Sequence, residues 1–402
     1  MSSAFVALGL LLSACGDDTE AATAPPAPKI DITTLDSGNY PTTPVDVEAT
    51  RKPTSGAQRE SIRIGAATPV AVQYDPRFVF GTGNHSRHRH LTPIEPPSFS
   101  GVGIDYKDFN AVIPGLVAGW ESSSSRREVS NGGRETATMS IRFETPDQAA
   151  FAATELSNRA PGPARTIPGY PNVPAKVEHN TQNLPFQNLR AWLARGDMLL
   201  FIQVTDWLGL PYDADSDAVV AQRFFDKHLE MLRSYTPTPL SEISKLPLDT
   251  EGLLSHVLPA EVTSRSESGT SPSAVYPAQA ALHFEKKSES ARAAYADAGI
   301  DYLAFDAATV FRARDENAAT RFQAWSESQT SENTNYVKAD SPPNLPSFRC
   351  FAVNPAAKSA FLEKPQCVGT FGRYVISTSS KSLQDVHQRI SAQYKLLNGF
   401  NG

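Results

Sequence analysis

Thr136-Ala137-Thr138-Met139-Ser140-Ile141-Arg142-Phe143-Glu144-Thr145-Pro146-Asp147-Gln148 decides the fold. Ala137, Met139, Ile141 and Phe143 alternate with polar residues, the period of a half-buried strand. Thr145 then suits an N-cap, Pro146 the first helical position and Gln148 the far side of a capping box. A helix over 146–160 follows, with Ala149, Ala150, Ala153 and Leu156 on one side. The proline-rich stretch 161–174 is a crossover. Residues 188–204 read as two strands around the turn Arg195-Gly196-Asp197. Residues 216–235 read as a helix that buries Val220, Phe224, Phe225, Leu229 and Leu232. The order is β-α-β-β-α.

Past the linker Thr236-Pro237-Thr238-Pro239 the same order returns. An alanine-rich helix within 272–299 precedes it. Thr309–Arg314 alternates as a strand, and Asp315 caps a helix to about Ser328 that buries Ala319, Phe322 and Trp325. Residues 348–353 and 367–378 read as a hairpin. Ser382 and Asp385 cap a last helix that buries Leu383, Val386, Ile390 and Leu397. The fold class expected is α+β: two related β-α-β-β-α sandwich domains in tandem, each a sheet with helices on one face.

The chain start sets the location. Ala4 to Leu12 is an unbroken run of apolar residues and glycine, too short for the roughly 20 residues that span a bilayer. It has the shape of a signal peptide. Leu12-Ser13-Ala14-Cys15 resembles a bacterial lipobox, which would place acyl chains on Cys15. Met1-Ser2-Ser3 lacks the positive n-region of a signal peptide, and a start further upstream would supply one. The expected layout is a signal peptide at 1–14 and a lipid-anchored, disordered tether at 15–29. An N-terminal domain at 30–235 and a C-terminal domain at 236–402 follow. Leu35-Asp36-Ser37-Gly38-Asn39-Tyr40-Pro41-Thr42-Thr43-Pro44 is an ordered turn with an extended exit. That string, with Gly115–Arg127 and Leu246–Pro259, resembles an uncharacterised family of two-domain lipoproteins from mycolic-acid-containing actinobacteria. The resemblance implies location and domain layout, and it carries no catalytic residues.

Composition narrows the rest. A formal charge of −6 over 402 residues leaves no basic excess to neutralise phosphates, so no nucleic-acid partner is expected. With Cys15 acylated, Cys350 and Cys367 remain as a pair and are expected to form a disulfide. No cofactor and no metal site is assigned. His85-x-x-His88-x-His90 is the one histidine cluster, but Arg87 and Arg89 oppose a cation there, and the stretch reads as a solvated basic loop. Gly81-x-Gly83-x-x-Ser86 and Gly101-x-Gly103 read as turns. Ser122–Ser125 with Arg126 and Arg127 reads as a polar loop with the chemistry of an anion cradle. Asp213, Asp215 and Asp217 fail the calcium-loop pattern and read as helix-capping acids. Trp120, Trp192, Trp207 and Trp325 read as packing.

No catalytic motif stands out, and an enzyme is the less favoured reading. The expectation is a cell-envelope lipoprotein, bound to the outer face of the plasma membrane, that holds a lipid, glycan or protein partner. The alternative is an envelope hydrolase whose active site brings a Ser or Asp to His179, His256 or His283. A purely structural or interaction protein is the third reading, favoured by a surface without a pocket of about 300 Å³.

Overall fold

The computed structural model describes residues 30–81, 89–129, 131–260, 273–357, 363–400 and 402. The expected signal peptide and tether, including Cys15, and His85 and His88 lie outside the described residues.

The N-terminal half contains α1 (Ser55–Ala66), β1 (Phe80–Gly81), β2 (His90–Leu91), α2 (Phe109–Val112), β3 (Leu116–Ser125) and β4 (Arg134–Phe143). It continues through α3 (Pro146–Arg159), β5 (Ala175–Asn180), β6 (Phe186–Arg195), β7 (Met198–Asp206) and α4 (Ala214–Met231). Its antiparallel sheet runs β1-β3-β4-β7-β6-β5, with β2 also paired to β3. The start of α3 is fixed locally, as expected. Thr145 Oγ1 accepts from Gln148 N at 3.3 Å, and Thr145 N donates to Gln148 Oε1 at 3.0 Å. Ala150 faces solvent, and Ala152 takes the buried place assigned to it.

The C-terminal half contains β8 (Ala274–Pro277), α5 (Ala278–Ala281), α6 (Ser288–Ala298), β9 (Tyr302–Phe305), β10 (Ala308–Arg312) and α7 (Glu316–Ser331). Then come β11 (Tyr336–Ala339), β12 (Arg349–Val353), β13 (Gln366–Phe371), β14 (Tyr374–Ser379) and α8 (Leu383–Leu397). Its antiparallel sheet runs β11-β12-β13-β14-β10-β9-β8. The expected alanine-rich helix is interrupted: Ala274–Pro277 is an edge strand, and only α5, a short turn and α6 remain helical. The stretch 367–378 is itself a hairpin, and β12 pairs beside it with Cys350 opposite Cys367. The two sulfurs form a disulfide.

Two corrections enlarge the repeat. The halves share the order β-β-α-β-β-β-α, not β-α-β-β-α, with β11 added after α7 in the second half. The path β3-β4-β7-β6-β5 in one sheet has the same connectivity as β9-β10-β14-β13-β12 in the other. Helices also cover both faces of each sheet, not one. In the first sheet α3 packs on Met139, Ile141, Phe143 and Phe201, while α4 packs on the opposite side with Leu200, Ile202 and Val204. In the second sheet α8 packs with Val310 and Ile376, while α7 packs with Val368 and Val375 on the other side. Alternation on β4 therefore marks an apolar and a polar face, both buried. Thr136, Thr138, Ser140 and Arg142 are all under 6% exposed.

That polar face is covered by α1 and its neighbours. Glu60 on α1 is fully buried. It accepts from Arg142 Nη1 (2.7 Å), Tyr235 OH (2.5 Å), Thr238 N (3.1 Å), Thr238 Oγ1 (2.7 Å) and Arg63 Nη1 (3.0 Å). The expected linker around Thr238 is thereby fastened to the N-terminal half.

The halves meet where β2 approaches β8. Trp120, on β3, is fully buried beside the rings of His90, Tyr276, His283 and Phe284. Gly81 N donates to Lys286 O, and Ser288 N donates to Val79 O. One continuous apolar cluster runs through both halves.

The segment before α1 was assigned to the N-terminal domain but packs on the C-terminal half. Leu35 is buried against α8. Tyr40 OH donates to Asp385 Oδ1 at 2.7 Å, and the Arg389 guanidinium lies over the Tyr40 ring. Gln388 Nε2 donates to Asp36 Oδ2, and Lys395 Nζ donates to Leu35 O. Gly38 has φ +52° and lies against Gln388, where a side chain would be both strained and crowded.

Candidate functional site

The α3-facing side of the first sheet changes character along its strands. Under α3 it presents Met139, Ile141, Phe143, Leu199 and Phe201. Two residues further along β4 the same side presents Ala137 and then Glu135. Register places Ser123 and Ser125 of β3, and Gln203 and Thr205 of β7, beside them. Asn188 and Arg190 of β6 continue the row. The result is a polar floor, and no residue of α3 lines the space above it.

A cavity of about 500 Å³ stands on this floor, with Phe80 and Lys286 at its rim. A second cavity of about 190 Å³ lies under the turn at 98–102 and is bounded by Glu121, Arg190 and Phe201. Ala137 and Gln203 line both, so the two form one cleft. The larger volume falls in the range of about 300–1,000 Å³ typical of small-ligand sites.

The floor side chains hold one another in place. Arg190 Nε donates to Gln203 Oε1 at 2.8 Å, and Arg190 Nη1 donates to Glu178 Oε2 at 2.7 Å. Gln203 Nε2 donates to Thr205 Oγ1, and Thr205 Oγ1 donates to Asn188 Oδ1. These bonds fix which way the Gln203 amide points. Burial pushes the Glu121 carboxyl up to about 7, against the opposing pull of Arg89. Burial in turn lowers the Arg89 guanidinium to about 10. The cleft thus offers oriented donors and acceptors and one carboxyl that titrates near neutrality.

The other expected sites fare differently. His90 is not part of a solvated basic loop. It is buried on β2, where Nδ1 donates to Ser61 Oγ and Nε2 accepts from Tyr276 OH at 3.0 Å. Both nitrogens are committed, so His90 is no metal ligand. Ser122–Ser125 is not a loop but the end of β3. Ser123, Ser124 and Ser125 line the larger cavity, while Ser122 is buried outside that lining. Asp213 caps α4, as expected, by accepting from Ser216 N. Asp215 and Asp217 stand in the first turn of α4, as expected of acids at that end of a helix, but Asp217 makes no cap bond. It is buried, 3.1 Å from Arg134 Nε, and accepts from Gln187 Nε2; burial raises its carboxyl to about 6. Gly101 and Gly103 form a turn over Arg190, and Gly83 and Ser86 lie outside the described residues. Trp120 and Trp192 are fully buried, in keeping with a packing role. His387 lies beside Cys350 and Cys367, whose sulfurs are committed to each other.

The histidines weighed for hydrolysis do not assemble a triad. His283 Nε2 donates to Thr68 O, so Ser122 Oγ donates to Nδ1 at 2.7 Å. A serine and an imidazole are paired there, but the imidazole is oriented by a carbonyl, both residues are buried, and burial lowers the ring to about 3. His179 pairs with Gln187 and stacks on Tyr212; His256 stacks on Phe400.

Glu121, Arg190 and Gln203 were not singled out from the sequence. Ser122–Ser125 is an unbroken run of serines, which hides the strand alternation that continues from the apolar run 116–120.

Among solved structures, the extracellular domain of PknH from Mycobacterium tuberculosis is similar at 12% identity and a TM-score of 0.30, over 47% of this chain and 99% of that one. No curated protein matches the chain. Residues 47–248 match the N-terminal part, and residues 253–399 the C-terminal part, of a family described as a domain of unknown function, DUF7373. The chain therefore belongs to the DUF7373 family.

Proposed function

We propose that this protein is a cell-envelope lipoprotein that binds a ligand in the cleft on its first sheet. The cleft carries the binding half of the reading: oriented polar side chains on a rigid sheet, with room for a small molecule. The anchoring half rests on the apolar run 4–12 and on Leu12-Ser13-Ala14-Cys15. The acyl chains, palmitate among them, would sit on Cys15 and hold the protein on the outer face of the plasma membrane. The Cys350–Cys367 disulfide suits that oxidising compartment. The likeness of 35–44, 115–127 and 246–259 to lipoproteins of mycolic-acid-containing actinobacteria supports the same location. The partner would be an envelope lipid, glycan or protein. The alternative, an envelope hydrolase, would have to expose Ser122 and His283 and supply a carboxylate.

The anchor is tested by intact mass and membrane fractionation in a mycolic-acid-containing host, comparing the wild type with Cys15→Ala. The expected result is a diacyl or triacyl mass on Cys15 and membrane retention that disappears in the variant. An unmodified, soluble wild-type protein would remove the anchoring half of the proposal.

A further inference from the structure

We infer that the cleft takes an uncharged oligosaccharide, laid along β3, β4 and β7. This rests on the cleft being a ligand site, as proposed above.

The lining chemistry separates ligand classes. The floor offers hydroxyls from Ser123, Ser125 and Thr205 and a carboxamide from Gln203. A hydroxyl both donates and accepts, and a carboxamide has two lone pairs and two N–H groups. With Ser125 Oγ donating to Arg127 O and Thr205 Oγ1 to Asn188 Oδ1, these two hydroxyls present lone pairs, and Gln203 Nε2 keeps one N–H besides the one given to Thr205. An array of sugar hydroxyls needs this mixture of donors and acceptors, held in fixed directions. The Arg190–Gln203–Thr205–Asn188 chain supplies the fixed directions, so little side-chain ordering is left to oppose binding. An acyl chain would need apolar walls. In the larger cavity the described apolar side chains are Phe80 and Ala137; Phe99, Val102, Met139 and Phe201 line only the smaller cavity of about 190 Å³.

Charge argues against an anion. The described lining of the two cavities carries Glu128 and Glu135, with Glu121 raised to about 7, against Lys286 and Arg190. Arg190 is already paired with Glu178. A phosphate or sulfate would meet more negative than positive groups there, whereas a neutral polyol meets no such penalty.

Shape argues for more than one sugar ring. From the level of Glu121 and Met139 to that of Ser125 and Glu135 the floor runs four residues, or about 13 Å at the rise of a strand. The two cavities of about 500 and 190 Å³ adjoin at Ala137 and Gln203 on that floor. Phe80 stands half-buried at one end, where the apolar face of a terminal ring can rest on it.

The test is isothermal titration of the full, disulfide-intact chain with mannotriose, maltotriose and arabinotriose. Phosphatidylglycerol vesicles and inorganic phosphate serve as the contrasting probes. Two variants accompany the wild type. Ala137→Trp fills the point shared by both cavities, and Gln203→Ala removes the oriented amide. The expected result is millimolar or tighter binding of at least one trisaccharide. It should weaken about tenfold in Gln203→Ala, the loss of one or two hydrogen bonds. It should vanish in Ala137→Trp, with the melting temperature of each variant reporting its fold. Saccharide binding unchanged in both variants, or none at millimolar concentration, would overturn the inference. Vesicles or phosphate bound by the wild type and blocked in Ala137→Trp would also overturn it, while leaving the cleft a ligand site.

Discussion

Replacing His228 with Gln is expected to make folding less sensitive to acid by about 3 kcal/mol between about pH 7.5 and about pH 4. His228 is fully buried on α4. Its Nε2 lies 3.2 Å from Ser140 Oγ, and its Nδ1 has no hydrogen-bond partner among the described residues. Burial lowers the ring to about 3. The folded protein therefore refuses a proton that the unfolded chain accepts below about pH 6.5. The unfolded state binds more protons in that window, so stability falls as pH drops through about 6.5 and levels off near 3. His90 and His283 behave alike, both lowered to about 3. Burial is the main cause; Arg59 and Arg89 add to it at His90, and Arg89 adds to it at His283. Buried carboxyls run the other way. Glu121, Asp217, Glu285 and Asp306 are all raised by burial, so they favour the folded state as pH falls. The wild-type curve alone mixes both signs, and the difference between wild type and variant isolates the imidazole. Urea unfolding at the two pH values measures it. A stability gap that stays constant with pH would contradict a neutral, buried His228.

Replacing Glu60 with Leu is expected to cost about 3–5 kcal/mol, the usual loss when one partner of a buried ion pair is removed. The carboxylate is the acceptor at which α1, β4 and the connection to the second half converge. Burial raises its pKa, but the hydrogen bonds from Tyr235 and Thr238 and the charge of Arg63 outweigh that and hold the group ionised. Without it Arg142 keeps only Asp197 at 3.0 Å, and Tyr235 and Thr238 point donors at an apolar side chain. Arg142→Met in the same chain is expected to recover part of the loss, because the stranded charge is then gone. Chemical denaturation of both single variants and the double variant checks this. A double variant that loses the sum of the single losses would show that the two groups do not act as a pair.

What could be read from the sequence was what local chemistry determines. The capping pattern of Thr145, Pro146 and Gln148 fixes a helix start whatever packs on it, and the same holds for Asp315 and Ser382. α1 escaped notice because Gln58, Glu60, Ser61 and Gly65 share its buried positions with Ile62 and Ile64, which breaks the apolar stripe. Those residues are buried because their partners lie on distant strands, which no local window contains. Ser122–Ser125 reads as a loop because four serines stand in a row. They stay in the strand because its partner β4 runs alongside them to Glu135. The polar positions of β4 looked solvent-facing for a related reason. Thr136, Ser140 and Arg142 meet Tyr74, Thr68 and Glu60, all from the segment before β1. The cleft was illegible because it depends on which part of the sheet face the folded chain leaves uncovered. Ser123 and Gln203 are ordinary strand residues until the space above them is left open.

The central claim, a ligand seated on the first sheet, is tested most directly by hydrogen–deuterium exchange. The protein would be mixed with a glycan and lipid extract of its host's envelope. The account predicts slower exchange confined to 121–125, 135–137 and 203–205, and no such change in Ala137→Trp. No protected segment, or protection only elsewhere, for example along α8, would contradict it.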